Sequence, residues 1–335
     1  MSLAPRLRGT DRPTVSFELY PPRSAAGVDA VHRTVAELSA VLPDFFSVTY
    51  GASGATRGPS ADLVRHVLAS TPVPVLAHLT CVGASRREVV ELATAFFDAG
   101  VRDVLALRGD PPAGQEDWRP HPDGVHRACD LVELLQVADR RHLAQRGGAR
   151  PVDEQPLSIA VAAFPSGGPD DLAALRAKQD AGAHFAVAQV CYRASEYADH
   201  LARARAAGIT IPVLPGVVPT TDPARLLRLQ QLTGVPVPRE LLAVLETAQE
   251  SGDTARRRAG TAWGARLVRE LLDAGAPGVH VYTFNSHDHA LDLLEGAHLD
   301  TRTPTVPPAA GRPQAGSSPE APLPEPAAQP AGGTA

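Results

Sequence analysis

The fold of this chain is decided by the stretch Val104-Leu105-Ala106-Leu107-Arg108-Gly109-Asp110-Pro111-Pro112. Its apolar half continues without polar alternation, which is typical of a strand buried on both faces of a parallel sheet. The two prolines cannot donate to a sheet ladder, so we predict that the strand ends there and leaves Asp110 at its carboxyl end. Parallel α/β barrels carry their chemistry at that end of the strands. The stretch is also compatible with a simple Arg-Gly-Asp surface turn.

A unit of strand, helix and glycine recurs along the chain. Eight apolar strand candidates alternate with helical sequence, and the first four begin about thirty residues apart, the size of one βα unit. Gly100, Gly182, Gly208 and Gly275 each precede a strand, where a helix needs a left-handed residue before the chain turns. We predict an α/β fold of the (β/α)8 TIM-barrel type, with an extra helix over residues 238–250 between strands seven and eight. An open dinucleotide-binding sheet is less favoured, because no Gly-x-Gly-x-x-Gly follows the first strand.

Composition excludes several classes of protein. The chain has 335 residues, of which 44% are apolar, enough for the core of one large barrel. Its net charge of −5 argues against a nucleic-acid partner, because no basic stripe is available for phosphates. With no long apolar run and no signal-peptide pattern, we expect a cytoplasmic protein without a membrane partner. Three distant cysteines (Cys81, Cys129, Cys191) predict neither disulfides nor a metal site.

The chain is predicted to divide into three segments. Residues 1–12 are expected to be a flexible amino terminus, and residues 13–300 to form the barrel. Residues 301–335 are rich in Pro and Ala and poor in large apolar side chains. Such a composition cannot bury a core, so we predict a disordered tail.

Polar side chains collect at the predicted carboxyl ends of the strands. Glu18 alternates with apolar residues in the first strand, so its side chain is expected to point into the barrel mouth. His78, Arg108, Asp110 and Gln189 end other strands. A carboxylate beside an amide can bind a planar heterocycle that carries N–H donors and an acceptor. A carboxyl group held among apolar walls has a raised pKa and can donate a proton near neutral pH. The set predicts acid-assisted chemistry on a heterocycle, although each residue alone also fits a structural role.

Five motifs occur in order between residues 14 and 294. They are Ser16-Phe17-Glu18-Leu19-Tyr20-Pro21-Pro22-Arg23, Ser47-Val48-Thr49-Tyr50-Gly51, Ala77-His78-Leu79-Thr80-Cys81, residues 107–112, and the block from Lys178 to Gln189. Together they resemble the bacterial methylenetetrahydrofolate reductase family with a single catalytic domain. The resemblance implies a barrel that binds FAD non-covalently, with NADH or NADPH as reductant. It implies 5,10-methylenetetrahydrofolate as the substrate and 5-methyltetrahydrofolate, for methionine synthesis, as the product.

The resemblance also implies roles for individual residues. Glu18 matches the acid that protonates the folate nitrogen and opens the five-membered ring. Asp110 matches a residue that binds the pterin and favours the cationic intermediate. Contacts with substrate are implied for Asp110, Gln189, Arg225 and Ser286. Contacts with the flavin are implied for Thr49, Tyr50, Ala52, His78, Arg108, Gly109, Asp110, Ala128, Phe164, Asp171 and Lys178.

The chain departs from the family's pattern around the flavin. Residues 166–170 form a shorter loop after strand five, without the His that the family usually has there. Arg127 stands where a Tyr is common, Arg225 where some members carry a Gln, and Ser286 where some carry an Arg. Two alternatives therefore stay open: direct hydride transfer from NADH without a flavin, and a non-catalytic barrel that binds folate or flavin or supports a partner subunit. A homo-oligomer is compatible with the sequence.

Overall fold

The computed structural model of this chain describes residues 3–7, 12–50, 57–110, 119–299 and 301. The predicted flavin contact Ala52, the prolines at 111 and 112, and the predicted tail from residue 302 lie outside these residues. Within them, the elements in chain order are α1 (Leu3–Arg6), β1 (Thr14–Leu19), α2 (Ala25–Ser39), β2 (Phe45–Val48), α3 (Arg57–Ser70), β3 (Val75–Thr80), α4 (Arg86–Asp98), β4 (Asp103–Leu107), α5 (Ala128–Gln145), β5 (Ser158–Ala163), α6 (Pro169–Asp180), β6 (Phe185–Val190), α7 (Ala194–Ala206), β7 (Val213–Val217), α8 (Pro223–Thr233), α9 (Arg239–Gln249), α10 (Asp253–Asp273), β8 (Gly278–Tyr282) and α11 (His287–Ala297).

The eight strands form one closed barrel. Every strand is parallel to both of its neighbours, and β1 closes the barrel by pairing with β8 as well as with β2. Outward-facing strand residues such as Val15, Phe17 and Leu19 pack in one large apolar cluster with the surrounding helices. The predicted (β/α)8 TIM barrel is confirmed. No helix in the described part of the chain combines the length and the apolar character needed to cross a membrane.

Glycines end four of the helices that lead into strands. Gly100, Gly182, Gly208 and Gly275 have φ angles of 91°, 105°, 76° and 87°. A Cβ atom is strained in this region, so glycine is the residue that lets the chain leave the helix there. The prediction drawn from the repeated glycines is confirmed.

Three helices connect β7 to β8. The middle one, α9, coincides with the extra helix predicted over residues 238–250. Leu241 and Leu245 of α9 share a buried apolar cluster with Val190, Tyr192 and Val218, which lie at the ends of β6 and β7. The additional helices therefore cover one side of the barrel at the carboxyl ends of its strands.

The amino end of the barrel is closed by the segment that contains α1. Leu3 and Leu7 are 1% and 6% exposed. They belong to one apolar cluster with inward-facing strand residues, namely Phe45, Leu76, Leu105, Ala160, Phe185, Val187 and Leu214. The backbone N–H of Leu3 donates to Oδ1 of Asp103 at 3.2 Å. Part of the segment 1–12, for which a flexible terminus is predicted, is therefore folded, because its two leucines fill the end of the barrel.

Leu3→Ala is expected to lower the free energy of unfolding by about 2–4 kcal/mol, because it leaves a cavity in this closed end. The matched control is Leu232→Ala on α8, a side chain that is 69% exposed, with an expected change within about 0.5 kcal/mol. Urea unfolding followed by circular dichroism measures both variants. Equal changes in the two variants would contradict the assignment of Leu3 to the core.

Candidate active site

Glu18 lies inside the barrel, near the carboxyl end of β1. Its side chain is 7% exposed. Because β1 packs Val15, Phe17 and Leu19 outward, the alternation of the strand turns Ser16 and Glu18 inward. Glu18 thus points into the barrel, as its position in the strand predicts.

Two imidazoles lie beside the Glu18 carboxylate. Nε2 of His78 on β3 and Nε2 of His280 on β8 are each 3.7 Å from Oε2 of Glu18. His280 is fully buried. Its Nδ1 is 2.8 Å from Oγ of Ser16, and its Nε2 is 3.3 Å from Oγ of Ser47. Four strands of the closed barrel therefore supply one polar cluster.

The hydrogen bonds of Ser16 indicate which ring nitrogen of His280 carries the proton that points toward Ser16. The Ser16 hydroxyl donates to the carbonyl oxygen of Val279 at 3.4 Å, so its oxygen accepts from Nδ1–H of His280. Nε2 of His280 is then the nitrogen that faces Glu18. Glu18 and His280 therefore interact across the end of the barrel.

The pKa of Glu18 does not follow the prediction for a carboxyl group among apolar walls. Burial raises the pKa of the Glu18 carboxyl, but the hydrogen bond from His280, the charges of His78 and His280, and the hydrogen bond from Tyr20 together outweigh it. The pKa of Glu18 therefore lies below its ordinary value, and the prediction of a raised pKa is wrong. The physical reason is that imidazole and phenol donors, rather than apolar walls alone, surround the carboxylate.

For His78, burial outweighs the neighbouring charges in setting the pKa. Burial lowers the pKa of His78 to about 4, against the attraction of the Glu18 charge and with the repulsion of His280. At neutral pH His78 is therefore a neutral imidazole. Its Nε2 atom is buried and has no hydrogen-bond partner among the described residues. Together with the lowered pKa of Glu18, this makes the site of the free protein an anion beside a neutral imidazole.

Asn285 ties the end of β8 to the end of β1. Its Oδ1 accepts from the backbone N–H of Tyr20 at 2.9 Å, and its Nδ2 donates to the carbonyl oxygen of Tyr20 at 2.8 Å. Thr283 donates from Oγ1 to the carbonyl oxygen of Glu18 at 2.6 Å. Phe284 and Asn285 have φ angles of 52° and 56°, uncommon for residues other than glycine. The turn after β8 therefore holds the backbone of the segment that carries Glu18.

Two predicted substrate contacts adjoin this turn. The guanidinium of Arg225 lies 5.1 Å from the ring centre of Phe284, and the ring of Phe284 stacks on Tyr20 with centres 6.3 Å apart. Ser286 is the N-cap of α11, with Oγ 3.1 Å from Nδ1 of His289. The structure thus brings Arg225 beside the turn that carries Ser286.

Asp110 follows β4 and Gln189 lies near the end of β6, and among the described residues neither forms a hydrogen bond or an ion pair with Glu18. The Asp110 side chain is 86% exposed and lies 3.7 Å from Arg108. Gln189 accepts at Oε1 from the backbone N–H of Val190 at 2.9 Å. The two side chains occupy the strand ends predicted for them, separate from the buried cluster around Glu18.

Two predicted flavin contacts have partners within the protein. Lys178 donates from Nζ to the carbonyl oxygen of Ala162 at 2.9 Å and lies 5.7 Å from the ring centre of Phe164. Asp171 accepts at Oδ2 from the backbone N–H of Gly168 at 3.0 Å. Both side chains therefore stabilise the end of β5 and the start of α6.

The short loop after β5 is bound from α7. Arg203 donates to the carbonyl oxygens of Pro165 and Gly167 at 3.0 and 3.1 Å. Two hydrogen bonds from one guanidinium therefore hold this loop against α7.

The remaining described candidates lie after β2 and β4 and at the start of α5. Thr49 donates from Oγ1 to Leu19 at 3.4 Å, and Tyr50 is 7% exposed. Gly109 has φ of 80°, and a Cβ atom there would lie 2.7 Å from Cγ1 of Val82, so the position needs glycine. Ala128 is the first residue of α5.

A profile of the family described as Methylenetetrahydrofolate reductase matches residues 3–298. The chain belongs to this family. The family named from the five sequence motifs is thereby confirmed.

Relatives of the methylenetetrahydrofolate reductase family match most of the chain. The 5,10-methylenetetrahydrofolate reductase of Pectobacterium carotovorum subsp. carotovorum is 31% identical over 281 residues, which cover 82% of this chain and 86% of the relative. The probable methylenetetrahydrofolate reductase (NADH) of Oryza sativa subsp. japonica is 28% identical over 84% of this chain. The match covers 48% of that plant relative, so the chain spans about half of its length.

A solved structure supports the fold independently. An uncharacterized protein from Clostridium thermocellum that binds two copies of 5-methyl-5,6,7,8-tetrahydrofolic acid superimposes with a TM-score of 0.57 at 14% identity. The alignment covers 88% of this chain and 97% of that one. At this identity the likeness shows the fold alone.

In this member of the methylenetetrahydrofolate reductase family, four residues around Glu18 and His78 are not among the predicted site residues: His280, Ser16, Ser47 and Tyr20. Alternation in β1 does indicate Ser16, because it lies two residues before Glu18 and faces the same side of the strand. The contact of His280 with Glu18 depends on the pairing of β1 with β8, which no local pattern reveals.

His280→Leu is expected to raise the pKa of Glu18, because burial persists while the hydrogen-bond donor and the charge are removed. Titration of the ¹³Cδ resonance by NMR measures this pKa, and the signal is assigned from its loss in Glu18→Gln. The control His287→Leu changes a histidine that is 25% exposed and pairs with Asp288, and should leave the pKa of Glu18 in place. An unchanged or lower pKa in His280→Leu would contradict the assigned role of His280.

Proposed function

We propose that this protein is a 5,10-methylenetetrahydrofolate reductase that uses NADH or NADPH. The substrate takes up one hydride and one proton and leaves as 5-methyltetrahydrofolate, while the nicotinamide is oxidised. The observation that carries the proposal is the buried carboxylate of Glu18 beside Nε2 of His280, in a chain of this family. A barrel that only binds folate or flavin has no need for such a buried, positioned acid.

Glu18 is the proposed acid, and His280 is the residue that positions its carboxyl group. In the free protein the lowered pKa of Glu18 keeps the carboxyl group ionised at neutral pH. A substrate over the site excludes water, which disfavours the charged carboxylate, raises the pKa of Glu18 and allows the carboxyl group to take up a proton. Glu18 then protonates the folate nitrogen, the carbon–nitrogen bond breaks with its electron pair on that nitrogen, and the remaining iminium carbon accepts the hydride.

Residues on the rim of the barrel are proposed to bind the substrate. The exposed carboxylate of Asp110 suits the N–H donors of a pterin and favours a cationic intermediate. The amide of Gln189 offers a donor and an acceptor to the substrate. On the side of β8, the guanidinium of Arg225, beside Ser286, suits the carboxylates of the folate's glutamate.

The charged groups near β4 and β5 fit a phosphate-bearing cofactor. Burial lowers the pKa of Lys178, the charges of Asp171 and Cys129 oppose this, and the nearby charge of Arg108 adds to it. Two cations close enough to repel one another are an arrangement that an anion stabilises. In addition, α5 begins at Ala128 without a side-chain capping bond, which leaves N–H groups at the positive end of a helix.

We therefore assign the phosphates of FAD to Arg108, Lys178 and the start of α5. FAD held by these residues would supply a carrier for the hydride between the nicotinamide and the substrate. The other described candidates for the flavin site are Thr49, Tyr50, His78, Gly109, Phe164 and Asp171. Arg127, which pairs with Asp130 at 2.8 Å, lies at the N-cap of α5 beside this site.

A second candidate is the same reaction with direct hydride transfer from NADH to the folate. The short loop after β5, bound by Arg203, favours it. The hydrogen bonds that Asp171 and Lys178 form within the protein also favour direct transfer, because these bonds must break before either side chain binds a flavin.

Glu18→Gln is expected to lower the turnover of 5,10-methylenetetrahydrofolate by about 10²–10⁴-fold, the usual contribution of a general acid. Oxidation of NADH by an artificial electron acceptor should continue at the normal rate, because it needs no proton from Glu18. The matched control is Glu91→Gln on α4, where the side chain is 61% exposed. Normal folate reduction by Glu18→Gln would show that the acid is a different residue.

An absorption spectrum followed by anaerobic addition of NADH separates the two hydride paths. We expect a flavin spectrum that NADH bleaches, and about 10-fold or greater weakening of FAD binding in Arg108→Ala, because a charge-assisted contact is lost. Arg228→Ala, on the exposed face of α8, is the control and should bind FAD normally. A colourless protein that reduces the folate with NADH would instead establish direct transfer.

A further inference from the structure

One side chain inside the barrel contacts both the Glu18 cluster and the strand that carries Gln189. Tyr282 is the last residue of β8, and because His280 faces the interior, the alternation of the strand turns Tyr282 inward as well. Its ring lies edge-on to the ring of His280, with centres 5.2 Å apart and an interplanar angle of 83°. Its hydroxyl donates to the carbonyl oxygen of Ala188 on β6 at 3.0 Å. Tyr282 therefore connects β8 to β6 across the intervening strand β7.

A glycine on β7 makes this contact possible. A Cβ atom at Gly216 would lie 2.5 Å from Cε2 of Tyr282 and 2.5 Å from the carbonyl oxygen of Ala188. A larger residue at this position would therefore push the phenol away from the carbonyl group to which it donates. Glycine weakens a strand because it has no side chain to pack, and inside a strand it often marks a close approach of this kind.

The hydroxyl of Tyr282 bonds to β6 where the register of that strand shifts. Val187 pairs with Leu214 on β7. The next pair joins Val190 to Gly216, so three residue steps on β6 face two steps on β7. Residues 187–190 are therefore the shifted segment of β6, with one residue more than its partner. Such bulges redirect a side chain and occur often next to active sites.

The shift determines which part of the Gln189 amide can meet a ligand. At an unshifted register the N–H of Val190 would donate to the carbonyl oxygen of Gly216. Cys191 makes that bond instead, at 2.8 Å, and Oε1 of Gln189 accepts from the N–H of Val190 at 2.9 Å. The amide oxygen is thus turned toward its own strand. Nε2 of Gln189 forms no hydrogen bond with the described residues, which leaves it available as a donor.

The phenol of Tyr282 is a donor throughout the neutral pH range. Burial and the charge of Glu18 raise its pKa well above the ordinary value for tyrosine. The hydroxyl therefore keeps its proton and its bond to the shifted segment. Without the hydroxyl, the carbonyl oxygen of Ala188 would lose this donor, and the segment that carries Gln189 would lose a bond that fixes its position.

We propose that Tyr282 is a positioning residue, which holds the shifted segment of β6 and thereby directs Nε2 of Gln189 toward a bound folate. The inference rests on the proposed function in naming the folate as the ligand of Gln189. Because the same ring packs against His280, Tyr282 also fixes the folate contact relative to the acid.

Tyr282→Phe tests this role, because it removes the hydroxyl and keeps the ring against His280. The matched control is Tyr197→Phe. The buried hydroxyl of Tyr197 on α7 donates in the same way to a strand, at 2.8 Å from the carbonyl oxygen of Val213. Both variants lose one phenol hydrogen bond to a strand, so both should lose some stability, but only Tyr282→Phe should affect Gln189.

NMR of the ligand-free protein measures the position of the shifted segment. The backbone amide resonance of Val190 and the side-chain amide resonance of Gln189 should move in Tyr282→Phe, because the bond between these two groups depends on the shift. Both resonances should stay in place in Tyr197→Phe. The side-chain resonance is assigned from its loss in Gln189→Ala.

Steady-state kinetics measure the consequence for the substrate. In Tyr282→Phe the KM for 5,10-methylenetetrahydrofolate should rise about 3–10-fold, the usual effect of one neutral hydrogen bond. The kcat should stay within about twofold, because Glu18 and His280 keep their contacts. The rise in KM should be absent when Tyr282→Phe is made together with Gln189→Ala, since no amide then remains to be positioned.

Unchanged amide resonances in Tyr282→Phe would overturn the proposal, whether or not the protein reduces folates. A rise in KM that persists in the Gln189→Ala background would also overturn it, because the defect would then be general. A parent protein that reduces no folate would contradict the proposed function instead. The resonances of Val190 and Gln189 report the positioning role in the absence of any substrate.

Discussion

The arrangement of the site depends on one buried carboxylate and the groups that make its burial possible. A charged Glu18 inside a barrel is costly unless it is bonded to donors. The donors come from His280 and Tyr20, and His280 is held in turn by Ser16 and Ser47. These residues lie on or next to β1, β2 and β8, so the cluster exists only once the barrel is closed. The fold is therefore a condition of the chemistry, and the pairing of β1 with β8 is its central contact.

The interior of the barrel consists of an apolar layer near the amino ends of the strands and a polar layer, with the Glu18 cluster, near their carboxyl ends. Near the amino ends of the strands it is filled by apolar side chains, including Leu3 from the first turn of the chain. Serine, histidine and glutamate replace them toward the carboxyl ends. The apolar layer excludes water from below, so hydrogen bonds and charges in the polar layer act in a medium of low dielectric constant. Asn285 then fixes the backbone around Tyr20, which limits movement of the acid relative to a substrate above it.

Much of the fold could be predicted from local sequence, because each βα unit carries its own signals. Apolar runs and helix-ending glycines such as Gly182 are signals carried by a few neighbouring residues. They are sufficient to predict the eight strands and the barrel. The inward direction of Glu18 followed from simple alternation. The sign of its pKa shift could not be predicted, because it depends on His280, more than 250 residues later in the chain. For the same reason, the sequence does not predict that Leu3 folds into the barrel, because its partners are strand residues far along the chain.

The most direct test of the account is the pH dependence of kcat/KM for 5,10-methylenetetrahydrofolate, measured between about pH 6 and 9 with the reductant saturating. The account requires a proton on Glu18, and the pKa of Glu18 is lowered in the free protein. It therefore predicts that kcat/KM falls as the pH rises through this range. A value of kcat/KM that is constant or rises over the same range would contradict the assignment of the acid to Glu18.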